Sequence, residues 1–242
     1  MQGVGDKDKT LPTASGSSRA EIDAFLRQVA AMPAARPDEG RGRLIFALDA
    51  TASRQPTWDR ACRIQGEMFE VTSALGGLEL QLVFYRGFAE CKASRWLADA
   101  EALQRAMSRV FCIGGETQIE RVLNHAIKEA KARRINALVF VGDAMEENVD
   151  ALIRAAGELR LLGVPVFVFH EGGNPLAAAA FKEIARVSGG AYCPFDAASA
   201  GLLKDLLAAV AVYAAGGRRA LEAYGERHGG AALMITQQLG GS

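Results

Sequence analysis

The chain has 242 residues, half of them hydrophobic, and its 28 basic residues balance its 28 acidic residues to a formal net charge of zero. That length allows one large α/β domain with a sizeable core. The chain has no net charge, and its one short basic cluster lies where a helix is expected to end, where cations are favourable. Nucleic-acid binding is therefore not expected. No stretch reaches ~18 uncharged apolar residues, so no membrane span is expected. The start lacks a signal-peptide core, and the four cysteines have neither metal nor redox spacing, which predicts a cytoplasmic protein.

Residues 1–42 are predicted to form a flexible N-terminal segment with a short helix. Residues 1–18 are polar and rich in Gly, Ser, Asp and Lys, a composition typical of disorder. Apolar residues at helical spacing predict a helix over residues 20–31. The prolines and glycines that follow indicate a linker that ends at residue 42.

From residue 43 onward, short apolar runs alternate with amphipathic segments. Strands are predicted at 43–49, 78–86, 88–94, 136–142, 164–169 and 191–193. Helices are predicted at 55–75, 99–109, 117–133, 147–162, 175–187, 198–215 and 217–227. The alternation predicts an α/β fold with a doubly wound, mostly parallel sheet and helices on both faces. Residues 43–215 are assigned to this Rossmann-like domain, and residues 216–242 to a C-terminal helix and tail.

Five side chains with oxygen donors are predicted to meet at one edge of this sheet. Asp49, Thr51 and Ser53 occupy alternate positions just past the first strand, Thr117 lies on a glycine loop before a helix, and Asp143 follows another apolar run. Ligands of doubly wound sheets bind beyond the carboxyl ends of the strands, where these residues fall. Oxygen donors without a thiolate or imidazole favour Mg²⁺ or Mn²⁺.

Helix capping is the alternative role for these residues. Ser53 is a candidate N-cap for the first long helix, and Thr117 with Glu120 fits a capping box. Glu146 and Glu147 are expected to favour the start of the next helix. The coincidence of five oxygen donors at one edge favours the metal site over five separate caps.

This pattern resembles the von Willebrand factor A family and its metal-ion-dependent adhesion site. The family motif has Asp-x-Ser-x-Ser, then a Thr on a glycine loop, then an Asp after the fourth strand. Here Thr51 replaces the first Ser, and Gly142 replaces a small hydroxyl residue often found before the last Asp. The resemblance covers about residues 43–215. It implies that the three hydroxyls bind metal directly and that the two carboxylates often act through water.

The resemblance also implies a function. It predicts a non-enzymatic adaptor or scaffold that binds a protein partner's Glu or Asp through the metal, and intracellular relatives work beside AAA+ ATPases or chaperones. One alternative is a Mg²⁺-dependent phosphotransfer-type hydrolase, but Thr51 stands where such a motif needs a second Asp. Another alternative is a structural domain with a vestigial site.

Overall fold

The computed structural model describes residues 41–72, 77–195 and 200–228. The segment predicted to be disordered, the predicted helix at 20–31 and the tail from residue 229 lie outside these ranges. The described residues form an α/β fold in which a six-stranded, mostly parallel sheet carries helices on both faces, as the alternation of elements predicts.

The strands lie in the order β3-β2-β1-β4-β5-β6, and only β3 is antiparallel to its neighbour. They span Gly42–Asp49 (β1), Leu78–Arg86 (β2), Glu90–Ala93 (β3), Ala137–Gly142 (β4), Val166–Glu171 (β5) and Ala191–Phe195 (β6). The chain runs outward from β1 to β3 and then crosses back to β4 on the other side of β1. The order therefore reverses between β1 and β4, and the carboxyl ends of these two strands flank the crevice where such sheets bind ligands.

All eight residues of β1 are buried, because the strand is central and both sheet faces are covered. Alternate side chains enter two separate cores: Leu44 and Phe46 pack on one face, and Ile45 and Ala47 on the other. Because successive side chains of a strand point to opposite faces of the sheet, this one strand contributes to both hydrophobic layers.

Among the described residues, three helices cover each face of the sheet. The helices span Gln55–Glu70 (α1, after a 3₁₀ turn at Ala52–Arg54), Ala100–Met107 (α2), Ile119–Ala132 (α3), Val149–Leu161 (α4), Pro175–Ser188 (α5) and Ala200–His228 (α6). The first core contains residues of α1, α2 and α6. The second core contains residues of α3, α4 and α5.

Helix α6 is interrupted at Gly217, whose φ of 68° lies in the left-handed region that glycine tolerates. The sequence predicts this break between two helical segments. Beyond the kink, Leu221 still packs into the first core. A side chain at Gly42 would meet the carbonyl oxygen of Ala214 at 2.3 Å, so glycine allows α6 to lie directly against the start of β1.

Candidate metal centre

Asp49 and Asp143 lie beside each other where the strand order reverses. Asp49 is the last residue of β1, and Asp143 directly follows the last residue of β4. The register pairs Leu48 with Val141, so both chains leave the sheet at the same level. Sheet topology therefore brings together two carboxylates that are far apart in sequence.

Hydrogen bonds connect these carboxylates through the two hydroxyl residues that follow β1. The backbone N–H of Thr51 donates to Asp49 Oδ1 at 2.7 Å. The Ser53 hydroxyl donates to Asp143 Oδ2 at 2.7 Å and lies 3.4 Å from Thr51 Oγ1. Asp49 is buried, Asp143 is half-buried and Ser53 is exposed, so the cluster opens to solvent on the Ser53 side.

Thr117 reaches the same edge through a different contact. Its hydroxyl accepts the backbone N–H of Glu146 at 3.1 Å, and its own backbone N–H donates to Glu146 Oε2 at 3.3 Å. Because Glu146 lies three residues after Asp143, these bonds fix the Thr117 loop to the Asp143 loop. The structure thus links four of the five predicted residues directly and holds Thr117 against the segment that carries Asp143.

The capping roles considered from sequence differ from those in the structure. Ser53 lies inside the 3₁₀ turn, and Gln118, not Thr117, is the N-cap of α3. Glu147 precedes α4, but its carboxylate accepts the backbone N–H groups of Ile119 and Glu120, in the first turn of α3, at 2.6 and 2.9 Å. It therefore caps α3 across the site, while Asn148 caps α4.

Tyr85 contributes to the site and was not predicted from sequence. Its hydroxyl donates to Asp49 Oδ2 at 2.9 Å, and its ring is fully buried. The residue lies opposite Asp49 in the β1–β2 register. That register was the signal that would have identified it, but the sequence did not establish which strands are neighbours.

A buried ion pair adjoins the cluster and was also missed. The guanidinium of Arg54 is 2% exposed and donates to Glu171, whose carboxylate also accepts the hydroxyl of Thr57. Burial lowers the pKa of Arg54, and the charges of Asp143 and Asp49 oppose that effect. The cationic group thus lies within the field of both carboxylates while its own hydrogen bond goes to Glu171.

Burial also shapes the chemistry of Asp49. Removal from water raises its pKa, because the charged form loses hydration. Hydrogen bonds from Thr51 and Tyr85 lower the pKa, whereas the charge of Asp143 raises it further. Within the described part of the chain, no Lys or Arg forms an ion pair with Asp49 or Asp143.

The donor set fits a small, hard cation. Octahedral Mg²⁺ binds oxygen at 2.0–2.1 Å, which places neighbouring ligands about 3 Å apart. The Ser53–Asp143 and Thr51–Ser53 oxygen separations of 2.7 and 3.4 Å lie on either side of that spacing. Over the described ranges, no group of three or more His, Cys, Asp or Glu side chains is arranged to hold a metal. Any ion here would therefore depend on the hydroxyls as well as the carboxylates.

Gly142 explains one departure from the family motif. A Cβ at this position would lie 2.8 Å from the Phe140 ring, so the hydroxyl residue often found there in the family would clash with this packing. The site consequently lacks one hydroxyl that the motif it resembles often has.

No protein-family model matches this chain, and a comparison with curated proteins gave no match. Solved structures do match. A von Willebrand factor type A protein from Catenulispora acidiphila is 16% identical with a TM-score of 0.57, over 72% of this chain and 43% of that one. Proximal thread matrix protein 1 of the mussel byssus, with a zinc-occupied MIDAS motif, is 15% identical with a TM-score of 0.57, over 71% and 46%.

The SpRpn10 VWA domain is 12% identical with a TM-score of 0.50, over 64% of this chain and 88% of that one. These similarities show a von Willebrand factor A-like fold. This chain spans less than half of the Catenulispora and mussel chains that it matches. No helix in the described residues is long and apolar enough to cross a membrane.

Proposed function

We propose that this protein is a metal-dependent protein-interaction module. The observation that carries the proposal is the pairing of Asp49 and Asp143 at the switch point of the sheet, joined through hydroxyls and without an ion pair to a cationic side chain in the described structure. Buried or half-buried like charges so close together are costly unless a cation neutralises them. The metal of the proposal is Mg²⁺ or Mn²⁺, bound by Asp49, Thr51, Ser53, Thr117 and Asp143.

A bound divalent ion would supply an electrophilic position for an oxygen of the partner. Asp49 is fixed by Thr51 and Tyr85, so its carboxylate is oriented before any ion arrives. The two carboxylates neutralise a divalent charge, and the neutral hydroxyls leave the ion able to accept one more anionic ligand. We infer that this ligand is a Glu or Asp of a partner protein.

We further propose that this protein is an intracellular adaptor. The neighbours include the SpRpn10 VWA domain. The partner system of the proposal, which the resemblance of the site motif implies, is a cytoplasmic AAA+ ATPase or a chaperone. A phosphotransfer enzyme is less well supported, because Thr51 occupies the position of the second carboxylate that such a reaction uses.

The test is to measure metal binding and partner capture separately. Calorimetry should detect one Mg²⁺ or Mn²⁺ site in the wild type. At 100 times the dissociation constant the ion should stabilise the fold by about 2.7 kcal/mol, or roughly 5–10 °C in melting temperature for a domain of this size. Zn²⁺ is included because the mussel protein carries zinc at its motif. Binding should be lost in Asp143→Asn and retained in Glu101→Gln, a control at an exposed carboxylate on α2.

Partner capture is then compared with Mg²⁺ and with EDTA. Under the proposal, the captured protein is lost in EDTA and in Thr117→Ala, and also when one carboxylate of the partner is changed to its amide. A protein that binds no divalent ion would have a vestigial site. A partner bound equally well in EDTA would mean that another face makes the contact.

A further inference from the structure

Large hydrophobic side chains are exposed mainly around the candidate metal centre. In the described residues the group comprises Phe88, Phe111, Ile113, Val149, Leu161 and Leu176. All except Leu161 lie at the carboxyl edge of the sheet. Phe88, Phe111 and Ile113 lie on loops there, and Val149 and Leu176 lie at the starts of α4 and α5. Leu161 ends α4 at the opposite edge. Single exposed hydrophobics are ordinary, but their concentration beside one site is typical of an interaction surface.

Phe88, Phe111 and Ile113 form one group, here called the aromatic patch. Phe88 is 76% exposed, Phe111 69% and Ile113 47%, so none of them contributes a fully buried side chain to the core. The Arg86 side chain donates to the carbonyl of Phe111 at 2.7 Å, and Gly87 N–H donates to the carbonyl of Ile113 at 3.5 Å. These bonds tie the β2–β3 turn to the segment that follows α2.

The backbone of the aromatic patch is also fixed to both loops of the metal centre. Ile113 N–H donates to the carbonyl of Ala50, the residue after Asp49, at 3.0 Å. On the other side, Glu116 N–H donates to the carbonyl of Gly87 at 3.1 Å. A Cβ at Gly115 would lie 2.1 Å from that same carbonyl, so the loops are in close contact. The patch and the centre are therefore one continuous, preorganised surface, which reduces the entropy cost of binding.

Three cationic side chains adjoin the aromatic patch. Arg86 and Lys92 share a single carboxylate, that of Glu90. Arg121 is exposed, and in the described structure its guanidinium bonds only to neutral oxygens, those of the Ala89 carbonyl and the Gln118 amide. The exposed carboxylates of Glu116 and Asp59 also lie near the patch, and Asp59 acts electrostatically on Cys112, between Phe111 and Ile113. Arg121 is therefore the cation on this side that no carboxylate contacts in the described structure.

The side of the metal centre away from the aromatic patch is acidic. There, Val149 and Leu176 lie in an open groove that three glutamates also line, Glu146, Glu147 and Glu183. An acidic segment would be repelled on that side and attracted on the side of Arg121. Charge complementarity thus selects the aromatic patch as the side on which an acidic ligand lies.

We propose that the partner segment carries an apolar residue next to its metal-binding Glu or Asp, and that this residue packs on Phe88, Phe111 and Ile113. This inference rests on the proposed function, since the acidic residue is the one that reaches the metal. Aromatic side chains that are exposed on a rigid backbone are frequent binding hot spots, because they bury large areas at little entropic cost.

The test uses a library of displayed linear peptides, selected on the full chain in Mg²⁺ and eluted with EDTA. Enriched peptides should contain an Asp or Glu with an aromatic or large aliphatic neighbour. For one synthetic enriched peptide, Phe88→Ser and Phe111→Ser should each weaken binding about tenfold or more. The matched controls are Leu161→Ser at the opposite edge and Leu176→Ser in the acidic groove, and both should bind as the wild type does. Exposed substitutions should leave the melting temperature unchanged within about 2 °C.

The outcomes separate this inference from the proposed function. If the protein binds Mg²⁺ but the Phe variants bind the peptide normally, or no peptide is enriched, the aromatic patch is not the docking surface and the metal site still stands. If neither Mg²⁺ nor peptide binds, the proposed function fails. Loss of self-association in Phe88→Ser, seen by sedimentation of the wild type and variant without peptide, would make a second copy of the chain the occupant and overturn the proposal.

Discussion

Two charged clusters lie side by side at the carboxyl edge of this sheet, and they differ in how their negative charge is balanced. Glu171, at the end of β5, has an internal cation, the buried guanidinium of Arg54, and a further donor in Thr57. Within the described residues, the side chains of Asp49 and Asp143, at the ends of β1 and β4, accept hydrogen bonds from neutral donors only: a backbone amide, a phenol and a hydroxyl. The first cluster is complete without a ligand, whereas the second has the donors for a cation but no cation of its own.

The comparison indicates how the fold keeps a binding site open next to a buried arginine. Arg54 lies in the field of Asp143 and Asp49, which raise its pKa against the lowering effect of burial. Its hydrogen bond goes to Glu171 and, among the described residues, not to either of these carboxylates. We infer that Glu171 prevents Arg54 from taking the place of the metal, and the following predictions test this difference between the clusters.

The largest effect is expected from Glu171→Gln, which breaks the buried pair of Arg54 and Glu171. Removing one partner of a buried pair leaves an uncompensated charge, so the free energy of unfolding should fall by about 3 kcal/mol in urea denaturation. Arg54 should then turn toward Asp143 and weaken Mg²⁺ binding in calorimetry. Glu183→Gln, which breaks an exposed pair with Arg186, serves as the control and should leave the urea midpoint close to that of the wild type. Unchanged Mg²⁺ affinity in Glu171→Gln would show that Arg54 does not compete for the site.

Asp49→Asn, in the cluster of Asp49 and Asp143, should not lower the metal-free stability. Without metal, the stability should be equal to or above that of the wild type at neutral pH, because the change removes a buried charge while the amide oxygen still accepts Thr51 N–H. The gain from saturating Mg²⁺, about 2.7 kcal/mol in the wild type at 100 times the dissociation constant, should disappear. Thermal melts with and without Mg²⁺ measure both quantities. A large loss of metal-free stability together with normal Mg²⁺ binding would make Asp49 a structural cap.

Tyr85→Phe is expected to have an intermediate effect. The substitution leaves Asp49 Oδ2 without the phenol donor, which should cost about 1–2 kcal/mol of metal-free stability. In an Asp49→Asn background the cost should be smaller, since no buried charge then needs the donor. A double-mutant cycle by urea denaturation measures this coupling. Equal costs in the two backgrounds would mean that Tyr85 acts only by packing.

The smallest effect concerns the ion pairs that Glu90 makes with Arg86 and Lys92 beside the aromatic patch. Hydrogen bonds from Arg86 and Lys92 lower the pKa of Glu90 to about 2 from its ordinary value of 4.5. A carboxylate with a lowered pKa contributes stability above its unfolded pKa and loses that contribution as the pH falls through the folded pKa. The difference in melting temperature between the wild type and Glu90→Gln should therefore be present at neutral pH and shrink between about pH 4.5 and pH 2. A difference that stays constant over that range would exclude the charge as its cause.

The sequence was sufficient to predict the fold class and the edge at which the candidate site lies. Short apolar runs in the strands and period 3.6 in the helices are local properties, and they predict the α/β order of elements without any knowledge of contacts. Asp49 and Asp143 were found because each follows an apolar run directly. The glycine break in α6 was also predicted, since glycine readily adopts the left-handed conformation seen at Gly217.

Only the tertiary structure decided which side chains surround these residues. Tyr85 meets Asp49 across 36 positions and Thr57 meets Glu171 across 114, and such pairs depend on which strands are neighbours and in what register. Glu147 was predicted to serve its own helix but caps another, because the sheet brings the start of α3 next to the end of β4. Local patterns specify where the chain becomes polar at the end of a strand. The partner of each polar group depends on how distant segments pack together, and that packing leaves no periodic signal in the sequence.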